Sequence, residues 1–155
     1  MPPDSDSTVP PYTIRRCTAA ELIGLRLRIL RPEGPRHEVE FAEDELPGAV
    51  HYCAEHGGII IGCVSFLPSR LDARSALRMR AMATEPAWMS RGVGTALLAT
   101  AERELGSREG RLVWCNARES ARGFYERNGW RAASEVFANG NAGPSLKMVK
   151  VVIAG

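Results

Sequence analysis

A strand-like run from Ala76 to Thr84 is stopped by Pro86. It is followed by a helix from Gly92 through Glu104 and then by a short apolar strand from Leu112 to Cys115. A strand, a helix and a strand in that order make a crossover, which lays a helix on the face of a sheet. Other signals surround this unit. Tyr12 to Cys17 reads as a first strand. Thr18-Ala19-Ala20-Glu21 fits a capping box, and Leu22, Leu25, Ile29 and Leu30 recur at helical spacing to about Arg31. Pro32, Gly34 and Pro35 end that helix. Val50–Ala54 and Ile59–Leu67 are strands joined through Glu55-His56-Gly57-Gly58, a hairpin signal. A polar loop with Ser69, Asp72 and Arg74 leads to the Ala76 strand. Asn116-Ala117-Arg118-Glu119 predicts a second capped helix, running to the stop at Asn128-Gly129. Ala132–Phe137 and Leu146–Ile153 read as final strands, and there is no internal repeat. Hairpins beside crossovers predict an α/β protein with a mixed sheet.

Length fits one domain: 155 residues carry one sizeable core. Residues 1–11, rich in Pro, Ser and Asp, read as a disordered tail, leaving 12–155 as the domain. A net charge of +2 without a clustered basic face argues against nucleic acid as a partner. The tail lacks the apolar core of a signal peptide. The longest apolar run, near Ile59 to Leu67, is too short to span a bilayer. The expectation is a soluble, cytoplasmic protein with no membrane partner. Cys17, Cys53, Cys63 and Cys115 form no C-x-x-C pair, which suits buried free thiols in a reducing compartment. No metal site is expected. Cys115 as a nucleophile has no His close in sequence to support it.

The stretch Ser90-Arg91-Gly92-Val93-Gly94-Thr95 lies between a strand and a helix. Gly92 and Gly94 permit backbone angles that other residues resist. Successive N–H groups can then converge on an anion at the positive end of the helix dipole. Arg91 adds a fork suited to phosphate. The pattern is neither a P-loop nor a dinucleotide fingerprint, because the required Lys-Ser/Thr or third Gly is missing. Alone it is also consistent with a plain turn. Further on, Ala121 lies one turn before Tyr125 and leaves room beside its phenol, although Phe124 and Tyr125 also suit ordinary core packing.

Together these stretches resemble the GNAT acetyltransferase superfamily. The matching segments are Met82-Ala83-Thr84-Glu85-Pro86, Met89-Ser90-Arg91-Gly92-Val93-Gly94, and Ala121 through Trp130. The resemblance implies a mixed, mostly antiparallel sheet flanked by helices. In that fold two parallel strands, here Ala76–Thr84 and Leu112–Cys115, splay apart around acetyl-CoA. It implies that Met82, Ala83 and Thr84 follow the pantetheine arm, that Ser90, Arg91, Gly92, Val93, Gly94 and Thr95 hold the pyrophosphate, and that Tyr125 stands at the general-acid position. Met89 departs from the usual Gln or Arg. Arg118 stands where many members have Asn; the run Cys115-Asn116-Ala117-Arg118 marks a subgroup, and Arg118 is carried as a cofactor-side candidate. Val113 replaces the Glu of enzymes that acetylate ribosomal-protein N-termini. Ser145 replaces the His of a Gly-Pro-His turn.

The implied reaction is direct attack of a primary amine, most simply on a small molecule, on the acetyl thioester of acetyl-CoA. Two alternatives are a non-catalytic acyl-CoA-binding regulatory domain and a protein or peptide acetyltransferase. No general base is readable. Glu85 reads as a loop carboxylate and His51 as a hydrogen-bonded structural residue. Glu40, Glu43 and Asp44, if they face the site, favour a cationic amine. The last strand offers an edge through which a homodimer can pair.

Overall fold

Thr18 caps the first helix as its sequence predicts. The backbone N–H of Thr18 donates to Glu21 Oε2 at 2.8 Å, and Thr18 Oγ1 accepts from Glu21 N at 3.4 Å. In the computed structural model, which describes residues 11–154, this helix (α1) spans Ala19–Leu30. The tail at residues 1–10 lies outside the described residues.

The strands are Thr13–Cys17 (β1), Val50–His56 (β2), Ile59–Leu71 (β3), Arg74–Thr84 (β4), Arg111–Arg118 (β5), Arg131–Ala132 (β6) and Ser145–Val152 (β7). They form one seven-stranded sheet in the order β1-β2-β3-β4-β5-β7-β6. Every neighbouring pair is antiparallel except β4 and β5. The parallel pair is the one joined through the helix Val93–Leu105 (α2), as a crossover requires. A short helix, Arg122–Arg127 (α3), follows β5.

The two helices cover opposite faces. From α2, Val93, Leu97, Leu98 and Ala101 pack into the main core with Tyr52, Val64, Leu77 and Met79. From α1, Leu22 and Leu25 meet Cys53, Cys63 and Ala83. Each such leucine, taken from water into contact with the sheet, stabilises the fold by about 1.5–3 kcal/mol. Cys53, Cys63 and Cys115 are buried and Cys17 is partly buried, all as free thiols.

Three readings of the sequence need correction. Asn116 does not cap a helix: β5 continues through Ala117 to Arg118, paired residue for residue with β7, and α3 begins only at Arg122 after a 3₁₀ turn at Glu119–Ala121. The loop before Ala76 is a tight hairpin, with Asp72 and Ala73 both at positive φ (49° and 67°) between β3 and β4. The strand expected over Ala132–Phe137 shrinks to Arg131–Ala132, because Ser134 Oγ accepts the Lys147 N–H at 2.8 Å and interrupts the ladder. Phe137 returns as a single bridge to Ser145. The free edge expected of the last strand is therefore taken in part, at Met148 and Val149, by β6.

Candidate active site

The parallel pairing of β4 and β5 is brief. Leu77 faces Val113 and Arg78 faces Trp114, and beyond them the strands part. A register shift against β3, between Cys63 and Ser65, bends β4 at this point, with Ala81 at φ 58°. From Arg80 to Thr84 the edge of β4 turned towards β5 has no ladder partner among the described residues. Backbone groups on such an edge must bond to water or to a ligand.

A cavity of about 840 Å³ fills the gap. Met82, Ala83 and Thr84 line one wall, and Cys115 to Arg118 the other. Ser90 and Gly92 to Thr95 close one end, at the start of α2. There Ser90 and Gly92 both have positive φ (61° and 84°), and no side chain caps the helix. Unpaired N–H groups of the first turn point outward, which makes the end of α2 an anion-attracting cradle. Arg91 does not line the cavity. Its guanidinium lies 4.5 Å from the centroid of the Trp88 ring, and Trp88 in turn packs against Tyr12 and His56. Met89 is 60% exposed.

Tyr125 is buried on the wall formed by α3, between the rings of Phe124 (5.1 Å) and Trp130 (5.5 Å), and it lines the cavity. Both readings of the aromatic pair thus apply: Tyr125 is packed in the core and borders the cleft. Burial, with a smaller contribution from Cys115, holds its phenol above the ordinary tyrosine range. Burial also pushes the Cys115 thiol up to about 12. A thiol so placed stays protonated and is no nucleophile.

The opposite end is framed by the segment between α1 and β2. Buried Arg26 makes four hydrogen bonds there, to Val39 O, Asp44 Oδ2, Asp44 Oδ1 and Ser65 Oγ, at 2.8–3.1 Å. His51 completes the knot, with Nδ1 2.7 Å from Ser65 Oγ and Nε2 3.0 Å from Asp44 O. His51 therefore has the structural role its position suggested. Asp44 is committed to Arg26, Glu40 pairs with Arg36 at 2.9 Å, and Glu85 pairs with Arg28. Among the described residues Glu38 is the one carboxylate lining the cavity, and it is 3.2 Å from Arg31. Val113 and Ser145 are buried, Ser145 Oγ donating to Gly143 O at 3.1 Å.

Sequence reasoning missed Phe41, Arg78 and Arg80, all of which line the cavity. The signal was present in the alternation Leu77-Arg78-Met79-Arg80, which puts two guanidiniums on one face of a central strand.

This geometry has a counterpart in known proteins. Residues 47–132 match the family model described as an acetyltransferase (GNAT) domain. The chain belongs to the GNAT acetyltransferase family. It is 30% identical over 142 residues to an uncharacterized N-acetyltransferase, YitI, of Bacillus subtilis (strain 168), a match covering 90% of this chain and 95% of that protein. Among solved structures it resembles an aminoglycoside 6′-N-acetyltransferase complexed with coenzyme A (TM-score 0.72, 21% identity, 92% of this chain and 98% of that one). It also resembles Ard1 from Thermoplasma volcanium (TM-score 0.72, 18% identity, 93% and 99%). At those identities the structural likeness carries the fold. As a GNAT enzyme the protein is an acyltransferase whose donor is acetyl-CoA, and the unpaired β4 edge leading to the uncapped α2 terminus fits a long thioester with a pyrophosphate.

Proposed function

We propose that this GNAT enzyme moves the acetyl group of acetyl-CoA to the primary amine of a small molecule by direct attack in a ternary complex. The observation that carries this reading is the placement of Tyr125 on the cavity wall opposite the unpaired edge of β4. Met82, Ala83 and Thr84 hold the pantetheine arm through backbone groups. Ser90 and Gly92 to Thr95 hold the pyrophosphate at the start of α2. Arg91, stacked on Trp88, adds positive charge outside the cavity, and Arg118 adds it at the end of β5.

The amine nitrogen forms a bond to the acetyl carbon as the carbon–sulfur bond breaks. Negative charge builds on the acetyl oxygen, where an N–H of the β4 edge stabilises it. The departing thiolate takes a proton from the Tyr125 hydroxyl, and the proton lost by the amine returns through water to the tyrosinate, which restores the acid. Burial keeps Tyr125 protonated at neutral pH, so the acid is always loaded. A small-molecule acceptor is favoured over a peptide because Glu38, Val39 and Phe41, from the segment tied down by Arg26, line that end of the cavity.

The test is Tyr125→Phe, measured by thiol release from acetyl-CoA across a panel of primary amines. The expected result is a loss in kcat of about 10²-fold, with acetyl-CoA affinity nearly unchanged. Unchanged turnover removes Tyr125 from the mechanism.

A further inference from the structure

Arg78 and Arg80 are two apart on β4, so both side chains leave the same face of the strand. Leu77 and Met79 leave the other face and pack in the core that includes α2. The two arginines are therefore on the side of the sheet away from the α2 cradle, where Phe41 and the α1 segment lie. Arg78 is also the last residue of β4 with a partner on β5. The pair flanks the point where the strands part, and the cofactor's phosphates belong at the other end.

Both guanidiniums are about half buried and both border the cavity. Each rests on an aromatic ring: Arg80 lies 3.8 Å from the Phe41 centroid and Arg78 lies 4.9 Å from that of Trp114. Among the described residues neither makes an ion pair, and Arg78 Nε is buried without a hydrogen-bond partner. The contrast is Arg26, on the same Phe41 ring at 4.5 Å, whose Nε is likewise without a partner but whose terminal nitrogens are matched by Asp44, Val39 and Ser65. Placing two guanidiniums in a cleft without a counter-ion is unfavourable. Burial accordingly holds both below the ordinary arginine range, and the charge of Arg78 lowers Arg80 further, while Glu43 offsets part of the effect. Lys147 Nζ, 5.2 Å from the Trp114 centroid, adds to this positive charge, and Glu43 offsets only part of it, which suits an anion.

We infer that the acceptor amine also carries a carboxylate, and that Arg78 and Arg80 bind it at the vertex of the β4–β5 gap. This rests on the acetyltransferase reading above. The carboxylate meets planar forks that favour bidentate contact. The same positive field disfavours an ammonium group and so favours the free amine that must attack. Free α-amino acids and related amino carboxylates are the class with this chemistry. The acidic segment does not overturn it, because Asp44 is committed to buried Arg26 and Glu40 pairs with Arg36 at the surface.

The test uses matched acceptors on the whole chain. N-acetylated α-amino acids and their carboxamides, as product probes, are titrated by calorimetry into the protein saturated with coenzyme A. The free amino acids and amino amides are then compared in thiol release from acetyl-CoA. The expected result is a preference of about tenfold or more for at least one carboxylate over its amide, the scale of one charge-assisted contact. Arg78→Gln with Arg80→Gln should abolish that preference by raising KM for the carboxylate, while the affinity for acetyl-CoA holds. The comparison within the unmodified protein needs no variant to fold. Amides or decarboxylated amines used as well as every carboxylate, or a preference that survives the double substitution, overturns the inference. Thiol release with amines but no carboxylate preference overturns it and leaves the transferase reading standing. Selective carboxylate binding with no thiol release for any amine does the reverse.

Discussion

Gly62 on β3 and Val93, the first residue of α2, approach so closely that a Cβ added at Gly62 would sit 2.7 Å from Val93 Cγ1. This contact sets the height of the α2 terminus over the sheet, and with it the position of the anion cradle. Gly62→Ala must push the helix away or turn Val93, at a cost of about 1–3 kcal/mol. The urea midpoint should fall accordingly, and KM for acetyl-CoA should rise while kcat changes less.

Gly92 and Gly94 should separate by mechanism. Gly92 has φ 84°, and a Cβ added there would meet nothing within 4 Å, so Gly92→Ala acts through backbone strain alone. The expected loss is about 1–2 kcal/mol. At Gly94 the backbone is ordinary, but a Cβ would stand 3.1 Å from Phe124 Cζ. Gly94→Ala should therefore disturb Phe124 and its neighbour Tyr125, lowering kcat, whereas Gly92→Ala should act mainly on KM for acetyl-CoA. Steady-state kinetics of the two variants checks this.

The Arg26–Asp44 pair is a buried knot. Asp44→Ala leaves a fully buried guanidinium unpaired and should cost about 3–5 kcal/mol in denaturant unfolding. Replacing both residues by leucine removes the stranded charge and should recover part of that loss. Equal stability of the single and double variants would contradict the assignment.

Much of the fold can be read in the chain because local and long-range preferences agree. The Thr18–Glu21 box, the Gly57-Gly58 turn and the α2 stripe all point to what the sheet requires. They part at Asn116. Its local pattern suits a helix cap, but strand pairing from Arg111 to Arg118 with β7 satisfies the whole run, and Asn116 Oδ1 is left buried without a partner. At Asp72-Ala73 a left-handed pair is formed without the glycine that usually signals it. The β4–α2 wall of the cavity was legible because a strand, a glycine turn and a helix start are local in sequence. The Phe41 end of the cavity was not, since Phe41, Arg80 and Arg26 meet only after the sheet brings α1, β4 and the intervening segment together.

Alkaline pH should unfold the protein through buried groups that resist ionising. Cys63 and Cys115 are raised from 9.0 to about 12, and Tyr52 from 10.0 to about 12, chiefly by burial. Because the folded values are raised, their contribution is complete below the unfolded values and is lost as pH rises towards the folded ones. The thermal midpoint should be flat from about pH 7 to about pH 9 and fall steadily up to about pH 12. Cys63→Ala should soften the first part of that fall. An equal slope in the variant would contradict the role given to this thiol.

The most direct measurement of acetyl transfer by direct attack is thiol release from acetyl-CoA with and without a primary amine, alongside the intact mass of the chain. Direct attack predicts thiol release only when an amine is present, one acetylated amine for each thiol, and a chain whose mass does not change. Thiol release without amine, together with an acetyl group left on the protein, would contradict it.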